Sequence, residues 1–268
     1  MTYVLDFREA NFGGAVVPGR LTEGSLGRLQ QTGDVTFLLH GFNVDRATGR
    51  DRLKRLAGLL TGQQHHALVA TLWPGDHWSG ALSYSFEARD ADDTALELAK
   101  FIYFNLRRNT RLSFLTHSLG ARVVLQVAKL LRPHGFPFQQ VCLMAAAMDD
   151  FSLGYPAHFR DAVGNTQRVA VLASRSDFVL KLAYPAGDLF QSWWYFGEES
   201  WGLALGYHGP RVRDGHTTPA RVLHHQIPDI RRAGHSDYLP DPIPNPNQRA
   251  AVQFCADILS GRPVPRYP

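Results

Sequence analysis

Eight short, nearly continuous apolar runs, separated by stretches of helical periodicity, constrain this chain more than any other feature. The runs span residues 3–7, 15–19, 35–40, 68–73, 111–117, 141–147, 169–174 and 221–227. Runs of this length, rich in Val and Leu, read as strands covered on both faces. Between them, residues 50–60 repeat leucine at 53, 56, 59 and 60. Residues 92–106 place Leu96, Ala99, Ile102, Tyr103 and Leu106 on one side. Residues 119–131 do the same with Val123, Val124, Val127, Leu130 and Leu131 before Pro133, and 247–259 turn Ala251, Phe254, Cys255 and Ile258 inward. Strand–helix alternation of this kind predicts an α/β fold, a mostly parallel central sheet of about eight strands with helices on both faces. In such sheets the chemistry lies at the carboxyl ends of the strands.

Composition narrows the reading. A chain of 268 residues buries roughly three quarters of its unfolded surface, so it is expected to form one domain over 1–268. Neither a disulfide nor a structural metal is needed to hold it. Cys142 and Cys255 both sit in apolar segments, and there is no CxxC or Cys/His cluster; no metal site and no cofactor are expected. The net charge of +4 is dispersed, which argues against a nucleic-acid partner. No run approaches the roughly 20 apolar residues of a membrane span. Asp6 and Glu9 stand where a secretion signal would carry a basic start and an apolar core, so a cytoplasmic location is expected.

The fifth run ends in Thr116-His117-Ser118-Leu119-Gly120 and leads directly into the helical stretch 119–131. A serine wedged between a buried strand and a helix occupies a tight turn and projects its hydroxyl from the apex. Small residues are needed two positions either side, because strand and helix approach closely there. Gly120 meets this need; Thr116 stands where glycine is usual. The free N–H groups of the helix start suit a developing oxyanion. Serine also caps helices without doing chemistry, but here strand, turn and helix follow in the order that a nucleophile requires. The third run ends His40-Gly41-Phe42-Asn43, and its loop is expected beside the serine. The Phe42 amide would then join that of Leu119 as the second oxyanion donor; the competing reading is a plain turn that needs Gly41 for its backbone angles.

A serine nucleophile needs a base, and the base an orienting carboxylate. Asp177, in Ser174-Arg175-Ser176-Asp177, follows the seventh run; Asp149 and Asp150 follow the sixth and compete with it. Of 12 histidines, His235 is best placed. It lies in Gly234-His235-Ser236-Asp237, after the last strand and before the last helix, where a loop can bend over the sheet edge. His40 and His117, each one step from a proposed catalytic turn, are expected to support loop geometry. The order Ser118, Asp177, His235 is that of the α/β-hydrolases.

With these residues in hand the sequence resembles the α/β-hydrolase superfamily, closest to its bacterial lipase-like and esterase-like branch. The likeness covers nearly the whole chain. It rests on Leu39-His40-Gly41-Phe42-Asn43, Leu72-Trp73-Pro74-Gly75, His117-Ser118-Leu119-Gly120 and Ser174-Arg175-Ser176-Asp177. It implies a serine hydrolase of small-molecule carboxylic esters, with Ser118 as nucleophile, His235 as base, Asp177 as acid, and Phe42 and Leu119 as oxyanion donors. Thioester or amide cleavage by the same triad, or a non-catalytic binding protein on this fold, are the alternatives. Residues 184–215 form an aromatic-rich excursion that includes Trp193, Trp194 and Trp201. It is expected either to line a pocket for an apolar group or to pack on itself.

Overall fold

The computed structural model describes residues 2–60, 66–75, 84–182 and 202–262. Eight strands form one sheet in the order β2-β1-β4-β3-β5-β6-β7-β8. They are β1 (Thr2–Arg8), β2 (Val16–Glu23), β3 (Asp34–Leu39), β4 (His66–Leu72), β5 (Arg111–His117), β6 (Phe138–Met144), β7 (Thr166–Ala173) and β8 (Val222–Gln226). Only β1–β2 pair antiparallel; every other neighbouring pair is parallel. Parallel strands need crossovers, and the helices supply them. These are α1 (Leu26–Gln31), α2 (Arg46–Leu59), α3 (Tyr84–Asn105), α4 (Gly120–Leu131), α5 (Arg160–Gly164), a turn of helix over 178–182 (α6), α7 (Leu205–His208) and α8 (Pro246–Leu259).

Burial follows the strand positions. β3, β5 and β7, inside the sheet, are buried along nearly their whole length, whereas edge strand β2 alternates between half-buried and exposed. β2 runs four residues beyond the apolar run that announces it, and it tolerates Pro18 because an edge strand can leave one amide position unpaired. Phe37, Phe114 and Phe138 stack across three adjacent strands with centroids 5.3 and 5.4 Å apart, and Phe37 and Phe114 are register partners. Such cross-strand aromatic pairs lock register, because a one-residue slip would turn every side chain to the other face.

The helices show why pattern alone misplaces ends. α3 begins at Tyr84, eight residues before the stretch expected to be helical. Its Asp92, expected at the start, lies mid-helix and accepts from two guanidinium nitrogens of Arg122 on α4, each at 2.8 Å. α4 buries eight of its twelve residues, leaves Lys129 and Leu130 exposed, and follows β5 directly without a side-chain cap. α8 carries a full capping box. Asn245 accepts from the Gln248 amide, the Gln248 side chain accepts from the Asn245 amide, and Pro246 opens the first turn.

After β3 the chain adds β4 on one side of it and β5 on the other. That reversal opens a crevice at the carboxyl ends of β3 and β5, the place where ligands bind in open α/β sheets.

Candidate active site

The turn between β5 and α4 holds Ser118 at φ 53°. A non-glycine residue in the left-handed region is strained by about 1–3 kcal/mol, and persists only where its surroundings over-determine it. Three constraints are visible. The Ser118 amide donates to the Met144 carbonyl on β6 at 2.9 Å, and the Ser118 carbonyl accepts from the Ala121 amide at 3.1 Å. Gly120 sits so close to the Thr116 hydroxyl and the His40 carbonyl that a Cβ there would strike both. The threonine that departs from the usual small residue is thus accommodated by the missing side chain of its partner glycine.

The His40–Asn43 loop lies directly against this turn. A Cβ on Gly41 would come within 2.7 Å of the Ser118 Cβ and 2.8 Å of His117 Nδ1, so this position requires glycine for close approach. The loop is braced by Trp73. The His40 and Trp73 rings stack at 5.7 Å, the Trp73 indole N–H donates to the His40 carbonyl at 3.0 Å, and the Trp73 amide donates to His40 Nε2 at 3.3 Å. His40 Nδ1 in turn donates to the Gly41 carbonyl at 2.9 Å. Burial lowers the His40 pKa to about 4, against a smaller opposing effect of that carbonyl. The ring is therefore a neutral structural strut. The Asn43 amide reaches the Gly75 carbonyl, which ties the two sequence motifs together. Among the described residues, the amides of Phe42 and Leu119 have no acceptor; Leu119 follows the serine, and Phe42 follows the Gly41 that packs against it.

Three side chains from distant parts of the chain meet here. His235 Nε2 lies 2.9 Å from Ser118 Oγ, placed to accept the hydroxyl proton. His235 Nδ1 donates to Asp177 Oδ2 at 2.8 Å. Asp177 is fully buried, and its other oxygen accepts from the Leu180 amide at 3.0 Å. Both carboxylate oxygens are thus engaged, and the imidazole is held as the tautomer that presents a free lone pair to serine. Among the described residues, no group of three or more His, Cys, Asp or Glu is placed to hold a metal ion.

The rival carboxylates lie elsewhere. Asp149 bridges to Ala204 through the main chain. Asp150 faces Arg211 at 3.3 Å, and burial outweighs that arginine and pushes its pKa up to about 6. Trp193, Trp194 and Trp201, with most of the aromatic excursion, lie outside the described residues.

Other residues that shape the site carry little sequence signal. Arg8, buried at the end of β1, donates to the Val44 carbonyl at 2.8 Å and the Trp73 carbonyl at 3.2 Å, stitching the loop ends after β3 and β4. Its sign is a charged residue closing an apolar strand. Asp237 accepts from the Gly234 amide at 2.8 Å and from the Asn245 side chain at 2.7 Å. It closes the His235 loop onto the start of α8. Ser174 Oγ donates to the Ala233 carbonyl at 2.7 Å, joining the His235 loop to the Asp177 loop.

The chain is similar to several known proteins. A family model described as an α/β hydrolase of unknown function (DUF900) matches residues 25–188. No curated protein matches the sequence. Among solved structures, a Pyrobaculum calidifontis esterase is similar at 15% identity, covering 85% of this chain and 76% of that one with a TM-score of 0.44. The Francisella virulence factor BioJ is similar at 11% identity, with 90% and 79% coverage and a TM-score of 0.46. LpqC, a poly(3-hydroxybutyrate) depolymerase from Bordetella parapertussis, is similar at 16% identity, with 87% and 80% coverage and a TM-score of 0.41.

Proposed function

This chain belongs to the DUF900 family of α/β hydrolases, and we propose that it is a serine hydrolase that cleaves small carboxylic esters through an acyl-enzyme on Ser118. The observation that carries the reading is the unbroken relay of contacts, 2.9 Å from Ser118 Oγ to His235 and 2.8 Å from His235 to Asp177.

In this reading His235 takes the Ser118 proton as the oxygen attacks the ester carbonyl carbon. The carbonyl π-electrons move to oxygen, and the amides of Phe42 and Leu119 receive the negative charge; one such donor is worth about 10²–10³ in rate. Asp177 stabilises the imidazolium that forms. When the tetrahedral intermediate collapses, the C–O bond to the alcohol breaks and His235 protonates the departing alkoxide. Water, deprotonated by the same ring, then attacks the acyl carbon and releases the acid, returning Ser118 to its hydroxyl form. The strained φ of Ser118 serves this chemistry by holding Oγ at the turn apex.

A fluorophosphonate probe followed by peptide mapping tests this. Labelling is expected on the peptide that carries Ser118, and Ser118→Ala should abolish it. Folded protein that takes no label, and turns over none of a series of p-nitrophenyl esters of rising chain length, would make this a binding module instead.

A further inference from the structure

The relay just described leaves His117 unused, although it adjoins the nucleophile and its ring is almost fully buried. His117 Nε2 lies 2.8 Å from the main-chain carbonyl of His235. The two rings are 4.7 Å apart, and Tyr238 flanks His117 at 5.7 Å. Its Nδ1 faces Gly41, so this one imidazole touches both the oxyanion loop and the base loop.

We propose that His117 is a positioning residue, whose Nε2–H···O=C bond to His235 fastens the base loop to the strand that carries Ser118. The proposal deepens the triad reading and rests on it. The other ties on this loop fall on its neighbours: Ser174 holds Ala233, Asp237 holds Gly234, and the Gln248 side chain reaches the Ser236 carbonyl at 3.3 Å. The bond from His117 falls on the His235 peptide itself. Without it, rotation about that peptide swings the imidazole off the line between Ser118 and Asp177.

The donor must be a neutral ring with its proton on Nε2. Burial holds His117 well below the ordinary histidine pKa, and the adjacent His235 adds to that. Neutrality matters twice: it leaves one proton on Nε2 for the carbonyl, and it keeps a second positive charge away from the imidazolium that the reaction forms.

The test compares His117→Phe, which fills the space without a donor, with His117→Gln, whose amide nitrogen reaches the position of Nε2. Misplacing a catalytic group by about 1 Å costs on the order of 100-fold. His117→Phe is therefore expected to lower kcat on a p-nitrophenyl ester by about that factor with KM little changed, and His117→Gln to recover most of it. In a His235→Ala background, His117→Phe should change the residual rate no further. Equal losses in both backgrounds, or wild-type kcat in His117→Phe, would overturn the proposal. If His117→Phe does not fold, His117→Asn, too short to reach, replaces it; equal rates for Asn and Gln overturn the proposal just as firmly. Histidine-selective ¹⁵N NMR adds a readout that needs no activity. His117 should appear as the neutral Nε2–H tautomer, and its substitution should move the His235 ring signals. An Nδ1–H tautomer sinks the positioning role, whereas failure of Ser118 to react with the probe sinks only the triad reading.

Discussion

Two aspartates follow neighbouring parallel strands and are buried alike, yet they differ in what their carboxylates meet. Asp177, beyond β7, has both oxygens engaged, one by the Leu180 amide and one by the His235 ring. Asp150, beyond β6, meets a half-exposed arginine and weaker main-chain donors, and desolvation outweighs them: its pKa rises to about 6. A buried charge is tolerable when donors replace its water, and costly when they do not. Position at a strand end therefore does not make a carboxylate useful to a catalyst; the donors that the surrounding loops bring to it do.

The sharpest way to break this contrast is Asp177→Asn, which keeps the shape and removes the charge. An amide there orients the imidazole in the wrong tautomer, and kcat on a p-nitrophenyl ester should fall about 10⁴-fold. Asp150→Asn should leave kcat near the wild-type value. A large loss there, with Asp177→Asn still active, would reverse the assignment.

Acid stability supplies the next effect. His40 has its folded pKa lowered from 6.5 to about 4, so between those values the unfolded chain binds a proton that the native state refuses. Its stabilisation is complete above pH 6.5 and drains away as the pH falls toward 4, on the order of 3 kcal/mol in all at about 1.4 kcal/mol per unit. Urea unfolding at pH 7 and pH 4 should show wild type losing that much more than His40→Gln. Parallel losses would mean that the His40 strut is not held neutral.

Asp150 runs the opposite way and slightly smaller. Its folded pKa of about 6 exceeds the ordinary 3.8, so the native state keeps a proton that the unfolded chain has released. Wild type should lose on the order of 3 kcal/mol relative to Asp150→Asn as pH rises from 3.5 to 7. A difference that is flat in pH would show that Arg211 compensates the buried charge after all. The smallest effect concerns the thiols. Cys142 and Cys255 are fully buried, with sulfurs 3.9 Å apart, so both should resist an aqueous thiol reagent until the protein is unfolded; rapid labelling of native protein would show that α8 separates readily from β6.

Legibility in the sequence tracked the range of the interaction responsible. All eight strands overlap the apolar runs: in the six inner strands burial on both faces imprints a local pattern, whereas edge strands β2 and β8 are half-buried or exposed. Element ends drifted, as at Tyr84, where α3 begins eight residues before the apolar pattern that announces it. The serine turn was equally legible, since Thr116 to Gly120 are contiguous and their crowding is settled within one turn. Arg8 and Asp237 left almost no trace: their hydrogen bonds run to carbonyls and amides, which every residue type carries.

What the sequence determined by itself was the order of elements, the class of sheet and the turn that lifts Ser118. These depend on periodicity and on sterics between residues a few positions apart. The tertiary structure alone decided which of three aspartates faces His235, and that the His117 ring reaches the His235 carbonyl. Those pairings join residues 58 and 118 positions apart. They follow from strand order and from which loops desolvate one another, quantities that exist only once the sheet has closed around its core.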